Sequence, residues 1–220
     1  MLSLKGYLHR RLKGEKGYDG RMNRTAIIGA LALAAAFAEP LTQSDRDKAM
    51  SHFHATRKVF LDSVAGLSDA QWNFKPAPDR WSIAECAEHI AVSEDAIFEM
   101  VQKTLKSPAE PEKKALVRGK DEMIVRAMPD RSVKAQAPEF LQPKRRWPDR
   151  DALIAHFKQS RDRNIAYLQT TEDDLRGHFL EHPVFKTLDA YQMMLLISAH
   201  CERHTLQLNE VKSDPNYPKN

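Results

Sequence analysis

The chain of 220 residues carries 34 Lys and Arg against 30 Asp and Glu, with a pI of about 9.0. That length supports one domain with a real core, and two cysteines are too few for a disulfide scaffold. Helix formers dominate, only 8 residues are glycine and runs of Val, Ile and Thr are absent, so an all-α protein is expected.

The positive charge is concentrated at the N-terminus. Residues 1–38 hold seven Lys and Arg and two Asp and Glu, which leaves 27 basic and 28 acidic residues in the remainder. The rest of the chain is near neutral, so the pI is no argument for nucleic acid, and none is expected as a partner. Within residues 22–38, Arg24 supplies a positive start and Ala26 to Ala36 an apolar run. Ala36-Phe37-Ala38 is an A-x-A cleavage signature ahead of Glu39. The run is shorter than the roughly 20 residues of a membrane-spanning helix. The expectation is a secretory signal peptide, with Met22 as the start or residues 1–21 as an extended n-region. The mature protein is then periplasmic or secreted, with no stable membrane insertion after cleavage. The alternative is a cytoplasmic protein with an amphipathic or buried N-terminal helix.

A first helix is expected from Leu41 to Leu67, capped by Thr42 or Ser44 and ended by Gly66. Its apolar positions are Met50, Phe53, Val59 with Phe60, and Val64. Ser68 to Trp72 reads as a short helical turn, and Lys75 to Asp79 as a proline connector. Ser82-Ile83-Ala84-Glu85 is a capping box that opens a second helix, running to about Leu105. Ile83, Cys86, Ala87, Ile90, Ser93, Ile97 and Val101 form its inner stripe, and His89 lies beside it.

Residues 107–148 hold six of the twelve prolines. A helix is expected between Glu112 and Met128, and the rest is extended or looped. So long a connection reads as a functional lid or mobile segment. Lys144-Arg145-Arg146 within it reads as a solvated loop. A third helix runs from the N-cap Asp149 to about Leu168, with Leu153, Ile154, Phe157, Ile165 and Leu168 inward. Thr171 to Asp174 begins a helical turn, and Gly177 to Pro183 returns the chain. Thr187 is expected to cap a fourth helix from Leu188 to about Val211, followed by a polar, fraying tail. No strand is expected. Four amphipathic helices with a long crossover between the second and third make a four-helix bundle. The domains are then a leader at 1–38, the bundle at 39–212 and the tail at 213–220.

His200 and His204 lie four residues apart on the apolar stripe of the last helix, so both imidazoles share one buried face. Buried imidazoles need partners, and a metal ion satisfies both. The zinc-protease pattern HExxH is absent, because Cys201 follows His200 where that pattern has Glu. His89 with His200 and His204 is the candidate metal set. Three imidazoles would hold a divalent ion (Zn, Ni, Fe or Mn) and leave a position open for water or substrate.

RWSIAECAEHIAVSED (Arg80 to Asp95) and LDAYQMMLLISAHCERHTLQLNEV (Leu188 to Val211) resemble the two signature segments of the DinB/YfiT-like superfamily. Trp81-Ser82, Glu85 and His89 match its W-S-x-x-E-x-x-x-H pattern. His200, Arg203, His204 and Gln207 match its last-helix segment. EHPVFKTLDAYQ (Glu181 to Gln192) and DRSVKAQAPE (Asp130 to Glu139) resemble a subgroup. The resemblance spans Leu41 to Val211. It implies a four-helix bundle with a divalent metal on three histidines, and no single activity: members resemble thiol-dependent transferases, maleylpyruvate isomerases or hydrolases. The export signal departs from the cytoplasmic thiol transferases. The expected function is a metal-dependent hydrolase or thiol/group transferase acting on a small molecule, with a homodimer possible. The contrasting class is a non-enzymatic metal or small-ligand binding module of the cell envelope.

Weaker catalytic candidates are Glu85, as a neighbour of His89, His182, as an acid/base at the pocket mouth, and Arg203, as a contact for an anionic substrate. Cys86 or Cys201 could supply a sulfur ligand, although two small buried side chains is the simpler reading. His52, His54, His156 and His178 have no pattern partner and read as surface or packing residues. Trp72, Phe74, Trp81 and Met193-Met194 read as core.

Overall fold

The computed structural model describes residues 39–132 and 136–219. The expected leader and signal peptide lie outside the described residues. Helix α1 (Gln43–Val64) starts where the Thr42 hydroxyl accepts the Asp45 amide at 3.1 Å. It stops ahead of Gly66, which adopts φ +66. Phe53 and Phe60 face inward from it, whereas Val59 is 51% exposed and takes no part in the core. Helix α2 (Asp69–Asn73) and helix α3 (Ile83–Thr104) both open on capping boxes, Ser68 with Gln71 and Ser82 with Glu85. All seven inner-stripe positions expected on α3 are buried.

The crossover begins with a 3-10 turn (Pro111–Lys113) and the short helix α4 (Lys114–Val117). Gly119, at φ 78, then breaks the single helix expected here, and helix α5 (Lys120–Ala127) follows. A second 3-10 turn spans Glu139–Leu141. The described crossover is pinned along its length. The Gln192 amide donates to the Val117 carbonyl at 2.9 Å, Lys120 to the Phe185 and Thr187 carbonyls, and Arg203 to the Met128 carbonyl.

Helix α6 (Arg150–Thr170) is capped by Asp149. After it the expectation fails: Thr171 to Asp174 is not helical, and the chain forms a hairpin of β1 (Phe179–His182) and β2 (Lys186–Asp189). The strands are antiparallel, with Phe179 opposite Asp189 and His182 opposite Lys186. Four residues per strand give alternation too little length to show in a sequence. The hairpin carries the chain straight into helix α7 (Ala190–Lys212), whose N-cap is Asp189 in a capping box with Gln192, not Thr187. The tail is also docked: the Pro218 carbonyl accepts from Gln71, and Tyr217 packs edge-on against Phe74.

Helices α1, α3, α6 and α7 form the bundle. Every residue from Leu188 to Ala199 is buried, so α7 is the central element. It contributes to two core clusters. Phe53, Ile97 and Met193 belong to one, and Phe60, Ile90, Phe157 and Leu208 to the other. Helices α3 and α7 are therefore antiparallel, which brings the first half of α3 to the later half of α7. Arg161 on α6 is completely buried and ties three bundle helices together. It pairs with Glu94 of α3 and donates to the Phe53 carbonyl and Thr56 hydroxyl of α1.

Candidate metal centre

His89 projects from the second turn of α3 and is 2% exposed. One turn apart on α7, His200 and His204 meet it. The Nε2 atom of His89 lies 3.2 Å from Nε2 of His200 and 3.1 Å from Nε2 of His204. The residues therefore converge as the sequence predicts, and a nitrogen of each lies within 4.8 Å of the others.

The opposite ring atoms explain why the Nε2 atoms point inward. Nδ1 of His89 donates to the Leu141 carbonyl at 2.8 Å. Nδ1 of His204 donates to Oε1 of Gln207 at 2.8 Å, and Arg131 donates to the same oxygen at 3.1 Å. A carbonyl oxygen only accepts, so both rings carry their proton on Nδ1 and present a bare Nε2 lone pair. Lone pairs about 3 Å apart repel, and no proton lies between them to bridge the gap. Protonating a ring is costly: burial pushes His89 down to about 4, and burial pushes His200 and His204 well below the usual imidazole value.

A divalent cation removes that conflict. At about 2.0–2.1 Å from each nitrogen, a tetrahedral ion would place its donors about 3.3–3.4 Å apart, close to the two separations found. The donor chemistry fits as well, since neutral imidazole suits zinc, nickel and iron. Neither cysteine joins the group among the described residues. Both are free and buried, and the Cys201 sulfur faces the Thr56 carbonyl of α1. Three ligands, with no sulfur to close the set, match the open arrangement of catalytic sites. Trp81 is half-buried against the cluster, with its ring 4.9 Å from that of His89 and 6.1 Å from that of His204.

The weaker candidates fall elsewhere. The Glu85 carboxylate accepts the Ser82 amide at 2.8 Å and pairs with Lys75, so it does not orient His89. The Leu141 carbonyl has that role instead. His182 ends β1, where Nδ1 accepts the amides of Val184 and Phe185, which leaves only Nε2 for other work. Its ring also stacks beside Phe185, at 5.3 Å between centroids. Arg203 clamps the carbonyls of Met128 and Asp130 at the end of α5. Among the remaining histidines, His52 bridges Ser198 and Glu202, and His156 meets Asp95 at 2.6 Å. The orienting role of Gln207 has a visible signal, its place one turn beyond His204. The Leu141 carbonyl has none, because every residue carries one.

The family model of the DinB superfamily matches residues 52–208. The chain is 29% identical over 163 residues to the uncharacterized protein YuaE of Bacillus subtilis (strain 168), covering 74% of this chain and 96% of that one. Among solved structures it is similar to YfiT from Bacillus subtilis, described as "a probable metal-dependent hydrolase with an unusual four-helix bundle topology". That likeness has a TM-score of 0.54 at 16% identity, covers 82% of this chain and 93% of YfiT, and bears on the fold. With the family match running from α1 to α7 through all three histidines, the chain belongs to the DinB superfamily.

Proposed function

We propose that the protein is a metal-dependent hydrolase of a small-molecule substrate, with a divalent ion held by His89, His200 and His204. The observation that supports this most is the convergence of their Nε2 atoms at 3.1–3.2 Å. When bound, such an ion supplies Lewis acidity, polarising a substrate oxygen and making a water acidic near neutral pH. Leu141 and Gln207 hold the protons on Nδ1 of His89 and His204, keeping Nε2 free to ligate. Trp81 covers one side of the cluster with an apolar ring, excluding water there and offering a face to a substrate. His182, whose Nδ1 is committed to the amides of Val184 and Phe185, has Nε2 left for moving a proton. The description of YfiT as "a probable metal-dependent hydrolase" favours hydrolysis over thiol transfer. Export, read from residues 22–38, favours it too, because a cytosolic thiol cosubstrate would be scarce outside the cell.

A panel of ester, amide and lactone substrates tests the reading. Hydrolysis lost on chelation, restored by one equivalent of metal and absent in His89→Ala is expected. Metal binding without turnover of any substrate class would make the protein a binding module. N-terminal sequencing of the mature chain tests export: a first residue of Glu39 supports it, and an intact Met1 or Met22 refutes it.

A further inference from the structure

We propose that Glu88 is a positioning residue for the metal centre, anchoring the strap of chain that fixes the tautomer and orientation of His89. The inference rests on the metal reading above. Glu88 sits on α3 directly before His89 and is 4% exposed. A carboxylate buried there is costly unless its lone pairs are taken, and a short piece of the crossover takes them. Oε1 accepts the amides of Lys144 at 2.8 Å and Arg146 at 3.1 Å, and Oε2 accepts the amide of Arg145 at 2.9 Å. The Arg146 guanidinium adds a further bond at 2.9 Å. Three successive amides aimed at one anion form a backbone nest. Building it forces Arg145 to φ 58, a left-handed conformation unfavourable for a residue with a side chain.

The nest is coupled to the metal cluster through the strap itself. The Arg146 guanidinium also donates to the carbonyls of Gln142 and Phe140 at 2.8 and 3.0 Å, tying the nest to the 3-10 turn Glu139–Leu141. That turn ends at Leu141, whose carbonyl accepts from Nδ1 of His89. Two adjacent residues of α3 thus grip both ends of one strap, Glu88 by its amides and His89 by its carbonyl. If Glu88 lets go, the carbonyl is no longer held at 2.8 Å, and nothing fixes which nitrogen of His89 faces the cluster. Within the cationic run Lys144-Arg145-Arg146, three backbone amides and the Arg146 guanidinium perform this work.

Zn²⁺ affinity of the full chain, by competition with a chromogenic chelator, tests the proposal, with the visible spectrum of bound Co²⁺ as a probe of ligand geometry. Glu88→Gln keeps the shape but turns a donor towards the amides. It should weaken Zn²⁺ binding about 10–100-fold and alter the Co²⁺ bands. Arg145→Val changes an exposed side chain and opposes the left-handed φ, and should weaken binding in the same direction. Arg145→Gly relieves the strain and should retain wild-type affinity. If Glu88→Gln fails to fold, the Arg145 pair decides. Wild-type affinity in both Glu88→Gln and Arg145→Val, with wild-type protein binding Zn²⁺, overturns this inference and leaves the metal reading standing. A wild-type protein that binds no Zn²⁺ overturns the metal reading and this inference with it.

Discussion

Three neutral imidazoles, two buried and one half-buried, make the metal-free protein sensitive to mild acid. Burial holds His89 down at about 4 in the folded state, whereas an unfolded histidine titrates near 6.5. Between those values the unfolded chain binds a proton that the folded chain refuses, so stability falls as pH falls. The loss from His89 alone amounts to about 2 kcal/mol at pH 5 and about 3 kcal/mol at pH 4, at roughly 1.4 kcal/mol per pH unit. Above about pH 7 the contribution is flat. Asp189, pushed up to about 6 by burial, titrates in the same window with the opposite sign. The observable is therefore the difference between the metal-stripped wild type and His89→Asn, in which Asp189 cancels. Urea unfolding at steps from pH 7.5 to 4.5 should show the wild type losing stability relative to the variant below pH 6.5. Parallel curves for the two proteins would refute the argument that the ring is held neutral by burial.

Two further perturbations follow from named contacts. Glu94→Gln leaves the fully buried Arg161 without its counter-charge and should cost about 3–5 kcal/mol; an unchanged urea midpoint would contradict that. Gln207→Ala removes the acceptor at Nδ1 of His204 and should weaken Zn²⁺ binding about 10–100-fold in a chelator competition, while equal affinity would show that the ring needs no such orientation.

Much of the fold was legible because the signals are local. Ser82 and Glu85 satisfy each other within one turn, and the inner stripe of α3 repeats every three to four residues, so neither needs tertiary knowledge. The three histidines were legible as ordered patterns on two helices, although only the antiparallel packing of α3 on α7 joins them. What escaped depends on partners far along the chain. Arg161 reads as a solvent-facing residue of an amphipathic helix, and Glu94, 67 residues earlier, is what permits its burial. The hairpin before α7 is too short for alternation to register. Glu88 carries no signal of its role, because backbone amides 56–58 residues later leave no mark on the sequence. Lys144-Arg145-Arg146 likewise advertised its charges and hid its amides.

The most direct test of the central claim is the metal content of protein purified without a metal-affinity tag, by elemental mass spectrometry, beside His200→Ala. The account predicts about one divalent metal per chain in the wild type, lost in the variant, with thermal stability rising on adding that metal to stripped wild type alone. No metal in either protein, and no response of wild-type stability to Zn, Ni, Fe or Mn, would contradict it and leave His89, His200 and His204 as packing residues.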